Sequence, residues 1–174
     1  MHIHTNYSDS SGSVEDVIET AKIKGLNGVA ITDHHTLKGA EEAISVKDDL
    51  LILPGEEVQT DRGEILAFGI KEVVPKGLPI REAISMVHFQ GGLVFIPHPT
   101  VPLFGKLREK EMRRLNIDGL EVFSAISPIA NFFASKNIGM ANRLGVSMIA
   151  GSDSHSPETV GDAYTIVKVK DTSL

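Results

Sequence analysis

Imidazole and carboxylate side chains, repeated in short clusters, are the groups of this chain that could do chemistry. Six of its seven histidines lie in polar stretches flanked by glycine or proline. The clusters are His2-Ile3-His4 with Asp9 following, Asp33-His34-His35, Glu56-Glu57, Pro97-His98-Pro99 and Asp153-Ser154-His155. Neutral imidazole and carboxylate together suit Zn, Mn or Fe. The chain contains no cysteine, which excludes disulfides and thiolate metal sites. So many N and O donors imply several divalent ions in one site, and therefore a metal-dependent hydrolase. Two metals about 3.5–4 Å apart can clamp an in-line phosphoryl displacement and activate a water. The sequence shows no Gly-x-Ser-x-Gly elbow and no glycine-rich phosphate loop. These absences argue against a serine nucleophile and against ATP-driven transfer.

The elements that must position these donors alternate between strand and helix. Ser13 to Lys24 reads as an amphipathic helix, with Ser13 and Asp16 as a capping box, a stripe of Val14, Val17, Ile18 and Ala21, and Gly25 as its stop. Further helices are expected over Ala40–Lys47, from Pro79 to Gln90, near Leu107–Leu115 and over Pro128–Leu144. Strands are expected over Gly28–Thr32, Leu50–Leu53, Glu64–Ile70, Leu93–Ile96, Ile117–Val122, Val146–Ala150 and Ala163–Val169. Strands alternating with helices imply parallel βαβ units. The polar clusters fall just past the strand ends, the rim where a β/α barrel builds its active site.

With 174 residues the chain reads as one domain, 1–174, large enough to bury roughly two thirds of its unfolded surface. At 41% hydrophobic and 23% charged it has the composition of a globular protein. The formal net charge of −6 leaves no basic footprint for nucleic acid as a bulk electrostatic partner. Bound divalent ions would nevertheless make the site locally positive, so an anionic substrate is compatible with an acidic chain. No run of about 18 apolar residues suggests a membrane span. The start reads as neither a signal nor a transit peptide, and a cytoplasmic location is expected.

Five motifs, in order, carry a family resemblance. His2-Ile3-His4-Thr5 with Ser8-Asp9, Ile31-Thr32-Asp33-His34, Pro54-Gly55-Glu56-Glu57, Pro97-His98-Pro99 and Gly151-Ser152-Asp153-Ser154-His155 resemble the PHP (polymerase and histidinol phosphatase) family, in its stand-alone phosphoesterase form. The resemblance implies an α/β fold, a distorted seven-stranded β/α barrel similar to a TIM barrel. It implies two or three divalent metals (Zn, Mn or Fe) and cleavage of a phosphomonoester or a nucleotide-type phosphodiester. It also implies three adjacent sites: His2, His4, Glu57 and Asp153; Glu57 bridging to a second metal shared with His98; and Asp9, His34 and His155. Asp153, Glu57 and His98 would be the catalytic core of that set. The chain departs from the pattern in carrying Glu64 at a position that is commonly histidine, which makes Glu64 a candidate ligand. It carries His35 where aspartate is common. It also has only Met1 ahead of the His-x-His, so the first strand is expected to be short.

Other residues are weighed beside the ligands. Glu121 ends a strand in Gly119-Leu120-Glu121-Val122, so it is expected to face the rim, in the shell around the ligands or in contact with substrate, and Arg62, Lys106 and Arg108 are further candidates for substrate contact. Glu56 is expected to face solvent or to stand behind the ligands. Asp33 and His35 are expected to orient metal-bound imidazoles. His88 reads as a solvated helix residue, and Phe132 or Phe133 as core. The partner implied is a small phosphorylated substrate, a nucleotide or short oligonucleotide. About 27 residues separate Gly69 from Pro97, too few for an inserted base-reading domain. Competing readings are a metal hydrolase of a C–N bond, against which no lysine is placed as a bridging carbamate, and a degenerate, non-catalytic PHP domain.

Overall fold

The computed structural model describes residues 1–46, 48–101, 106–126 and 130–168. The expected helix end at Lys47, helix start at Pro128 and strand end at Val169 lie outside the described residues. Six strands form one curled sheet in sequence order: β1 (Gly28–Ile31), β2 (Leu51–Thr60), β3 (Gly63–Phe68), β4 (Leu93–Ile96), β5 (Gly119–Ser124) and β6 (Ser147–Gly151). Helix α1 (Val14–Ile23) precedes β1, and α2 (Lys38–Ser45), α3 (Ile80–Phe89), α4 (Glu109–Met112) and α5 (Ala130–Leu144) lie between strands.

Two expectations are corrected. The sheet is mixed: β1–β2, β4–β5 and β5–β6 are parallel, but β3 is antiparallel to both neighbours. The reason is local. The strand after Leu50 does not end at Pro54 but continues to Thr60 and turns at once into β3, and so short a connection can only give a hairpin. Among the described residues the sheet also has six strands rather than the seven of a complete barrel. The segment after Ala163 is no strand among the described residues. Instead, Thr165 Oγ1 donates to the carbonyl of Ala150 at 2.9 Å and accepts its N–H at 2.9 Å, a side chain doing one rung of a ladder's work.

The N-terminal segment spans the two ends of the curled sheet. Ile3 makes single parallel bridges to Ile31 on β1 and to Ser154 just past β6. Its carbonyl accepts Thr32 N–H at 2.8 Å, while His4 N–H donates to Ser154 O at 3.0 Å and Ser152 N–H to Met1 O at 3.0 Å. The short first strand expected from the sequence is here a single bridging residue.

Strand alternation divides the core. Val29 and Ile31 pack outward with Val14, Val17, Ile18, Ala21, Ala40 and Ala43 of α1 and α2. Val58, Ile65, Ala67, Val94, Ile96, Leu120 and Val122 pack outward against α3 and α5. The residues between them, Ala30, Leu66, Phe68, Phe95 and Ile149, meet inside the curl, where Phe68 and Phe95 stack edge to face at 5.6 Å. This small apolar plug is the floor of the polar rim. The capping box of α1 forms as the sequence predicts, with Ser13 Oγ accepting Asp16 N–H at 3.2 Å and Asp16 accepting Ser13 N–H at 2.9 Å. Phe132, expected in the core, is instead exposed.

Candidate metal centre

The same alternation delivers the donors. On β2, Val58 faces the helices, so Glu57 faces into the curl. On β5, Leu120 and Val122 face the helices and Glu121 faces in. His2 and His4 lie either side of bridging Ile3, and His98 and Asp153 follow the ends of β4 and β6. Three of these residues turn inward on left-handed backbone: φ is 60° at His2, 29° at His98 and 50° at Asp153. Non-glycine residues rarely adopt it, and each costs on the order of 1–3 kcal/mol, a cost typically found at functional sites.

Nine donors thereby meet as three overlapping groups, in each of which the donor atoms lie within 4.8 Å of one another. His2, His4, Glu57 and Asp153 form the central group, and all four are buried. His4 also belongs to a more exposed group with Asp9, His34 and His155, and Glu57 to a third with Glu64 and His98. His2 Nε2 is 3.0 Å from Glu57 Oε2 and 3.2 Å from Asp153 Oδ1. Asp9 reaches His34 Nε2 and His155 Nε2 at 3.4 Å each. The His155 ring is oriented by Nδ1 donating to the Asp153 carbonyl at 3.1 Å, which leaves Nε2 facing Asp9.

The electrostatics of the pocket favour a cation. Burial opposes a charge on His2, but the carboxylates of Asp153, Glu57 and Glu121 outweigh it and hold the imidazole well above its usual pKa. Burial likewise opposes His4, yet Asp153 and Glu57 hold it up at about 9. His98 is raised as well, burial being outweighed by Glu57 and Glu121. Burial would lift both central carboxylates, but the imidazoles reverse it, leaving Glu57 well below the usual range and Asp153 at about 2. Glu64 differs: burial and the charge of Glu57 push its carboxyl up. Buried polar atoms are nearly always hydrogen-bonded, yet His4 Nδ1, His4 Nε2 and Glu57 Oε1 have no hydrogen-bond partner among the described residues. Buried imidazole and carboxylate donors with unspent lone pairs, in a field that favours positive charge, fit divalent Zn, Mn or Fe.

The residues around the donors are placed less as the sequence suggests. Glu121 does not open onto the rim. It is fully buried, with Oε1 accepting from His2 Nδ1 at 2.9 Å and Oε2 from the His98 backbone N–H at 3.0 Å. Asp33 orients no imidazole; it accepts Thr5 N–H, Thr5 Oγ1–H and Ser8 Oγ–H, each at 2.7 Å, and so fixes the turn that carries Asp9. Glu56 does not face solvent. It is buried on the helix side of β2 and accepts Val74 N–H at 2.8 Å, with His35 Nδ1 at 4.0 Å. His88 is not merely solvated but donates through Nε2 to Asp118 at 2.9 Å. Arg62 and Arg108 both pair with Glu111. Arg62 and Lys106 also line a small depression beside Glu64 and His98. The sequence reading passed over Ser124, whose hydroxyl donates to Asp153 at 3.3 Å. A register shift between Glu121 and Phe123 brings it to the site, and a bulge of that kind leaves no mark in the hydrophobic pattern.

The chain is similar to known proteins in sequence and in fold. An uncharacterized protein of Methanocaldococcus jannaschii is 36% identical over 138 residues, covering 72% of this chain and 80% of the relative. The phosphoribosyl 1,2-cyclic phosphate 1,2-diphosphodiesterase of Eggerthella lenta is 32% identical over 83 residues, 43% of this chain and 32% of that protein. A structure from Bifidobacterium adolescentis, assigned as a metal-dependent phosphoesterase, superposes with TM-score 0.80 at 20% identity over 94% of this chain and 91% of its own. An amidohydrolase from Chromobacterium violaceum with bound sulfate gives 0.74 at 18% identity, covering 92% and 87%. Endonuclease Q in complex with a 27-mer duplex bearing an abasic lesion gives 0.65 at 20% identity, covering 90% and 48%. At these identities the three structures establish the fold. Residues 128–173 match a PHP-associated family, and residues 1–89, just over half of the chain, match the PHP domain. With the donor clusters in the order and placement described above, the chain belongs to the PHP domain family.

Proposed function

We propose that this chain is a metal-dependent hydrolase of phosphoester bonds, acting at a di- or trinuclear centre of Zn, Mn or Fe. The observation that carries the reading is the overlap of the three donor groups: His4 is common to two of them and Glu57 to two. Shared ligands of this kind hold cations side by side, as in-line phosphoryl displacement needs. The diesterase from Eggerthella lenta and endonuclease Q point the same way, towards phosphoester chemistry.

In this reading His2, His4, Glu57 and Asp153 hold the central ion, Glu57, His98 and Glu64 a second, and Asp9, His34 and His155 with His4 a third. Bound ions would activate a water and neutralise charge on the phosphate. The chain's own groups do the rest. Glu57 and Asp153 bring anionic charge between the cations and offset their repulsion. Asp9, half exposed at the mouth, leaves the third group open to an incoming substrate. Arg62 and Lys106, beside Glu64 and His98, add positive charge where an anionic substrate would lie. Asp153, Glu57 and His98 are the residues whose loss should matter most. The substrate is a small phosphorylated compound, a nucleotide or short oligonucleotide. No helix among the described residues is long and apolar enough to cross a membrane.

The test is hydrolysis of a chromogenic phosphomonoester and a phosphodiester by metal-stripped protein refilled with Mn or Zn. Turnover of either ester, abolished in Asp153→Ala, supports the proposal. Full turnover in His98→Ala, or none with any metal despite bound ions, overturns it.

A further inference from the structure

A half-buried carboxylate just ahead of strand β5 and a buried one within it are wired alike. At its entry, Asp118 Oδ2 accepts the Val94 backbone N–H at 2.7 Å and His88 Nε2–H at 2.9 Å. Within the strand, Glu121 accepts the His98 backbone N–H at 3.0 Å and His2 Nδ1–H at 2.9 Å. Each carboxylate therefore ties one imidazole to the chain of β4 or the turn that follows it. The chemistry at the far side of the imidazole differs. His88 Nδ1 meets only the Asn116 amide, at 3.4 Å. His2 Nε2 faces Glu57 and Asp153 in the central donor group.

A carboxylate can only accept, so its contact with His2 requires a proton on Nδ1. When Nε2 serves as a ligand, that proton fixes the tautomer and strengthens the donor. The second oxygen of Glu121 acts on the other group. It holds the N–H of His98, a residue on left-handed backbone at φ 29° that shares the donor cluster of Glu57 and Glu64. Space has been made for this arrangement at Gly151: a Cβ there would collide with Glu121 Oε1 and lie 2.7 Å from His2 Cβ.

We propose that Glu121 is the positioning residue of the metal centre, one carboxylate that orients a ligand of the central donor group and holds in register a ligand of the neighbouring one. The inference rests on the metal-centre reading above. It assigns Glu121 no contact with substrate, and Asp118 serves as its internal control, since it makes the same two kinds of hydrogen bond away from any donor group.

The experiment compares Zn binding, by competition with a chromogenic chelator, in the wild-type protein, Glu121→Gln and Asp118→Asn, with thermal melting alongside. Side-chain 15N spectra of the Zn-loaded proteins report the His2 tautomer. Glutamine keeps the shape of Glu121 but turns an amide N–H towards one of two donors. Zn affinity should fall about 10- to 100-fold, with loss of the protected His2 Nδ1–H signal. Asp118→Asn should lower the melting temperature and leave affinity within about twofold. Wild-type affinity and an unchanged His2 signal in Glu121→Gln would overturn the proposal and leave the metal centre standing, as would equal weakening in Asp118→Asn. If the wild-type protein bound no divalent ion, both readings would fall. Should Glu121→Gln not fold, Glu121→Asp replaces it. One methylene shorter, aspartate cannot span both partners, so intermediate affinity supports the proposal and wild-type affinity overturns it.

Discussion

Neighbouring glutamates on β2 have opposite surroundings. Glu57 sits among imidazoles and is held ionised. Glu56 faces the helix side, with Val74 N–H as its hydrogen-bond donor, and burial pushes its carboxyl from 4.5 up to about 7. A raised carboxyl binds its proton more tightly in the folded state than in the unfolded chain. Its neutral form is therefore no burden below pH 4.5, and stability is lost progressively as pH rises from 4.5 through about 7. Glu56→Gln should remove that dependence. The variant is expected to melt higher than the wild type at pH 8 and to match it at pH 4.5, and equal melting at both values would refute the assignment. His4, raised to about 9, gives a second pH signature. In metal-free protein its contribution is fully present below pH 6.5 and lost as pH rises through 9. A divalent ion supplies the missing positive charge, so the gap in melting temperature between Mn-loaded and chelator-treated protein should widen from pH 6 to pH 9. At this scale the sequence pointed to the candidate donors that the fold brings together, because ligand chemistry is a property of residue type. It did not show that Glu56 is covered, because the cover is Val74, 18 residues on in the loop after β3, which has no periodic signal.

At the scale of elements, polar donors at strand ends were legible because apolar runs broke into Asp, His and Glu at Ile31, Ile96 and Ala150. The direction of β3 was not. An apolar run reads the same in either direction, and only the tight turn between Thr60 and Gly63 makes the pairing antiparallel. The two kinds of element make separable predictions. Ser13 caps α1, and its hydrogen bonds among the described residues go to Asp16 rather than to any donor. Ser13→Ala should cost about 1 kcal/mol, lower the melting temperature by about 2–4 °C, and leave Zn affinity unchanged. Gly151 ends β6 directly behind His2 and Glu121. Gly151→Ala should weaken Zn binding at least tenfold, through displacement of the His2 ring, and a chelator titration would show it. Affinity unchanged in Gly151→Ala would mean that the rim is more compliant than its close contacts suggest.

At the scale of the whole molecule, donors drawn from residues 2 to 155 converge on one rim, so binding a cation ties together most of the chain. A ligand held only by the folded state stabilises by about 2.7 kcal/mol at a hundred times its Kd. Excess chelator should therefore lower the melting temperature by several degrees, and Asp153→Ala should abolish that response. The route by which the rim is completed follows from the Ile3 bridges. The first residues of the chain lie between Ile31 and Ser154, and the second of these contacts spans almost the whole sequence. During synthesis His2 and His4 cannot reach their final neighbours until Asp153 and Ser154 have left the exit tunnel. Loop closure over such a span is slow and comes late. Nascent chains released before residue 153 would thus carry every helix from α1 to α5 and still lack Asp153 and His155, leaving two of the three donor groups incomplete.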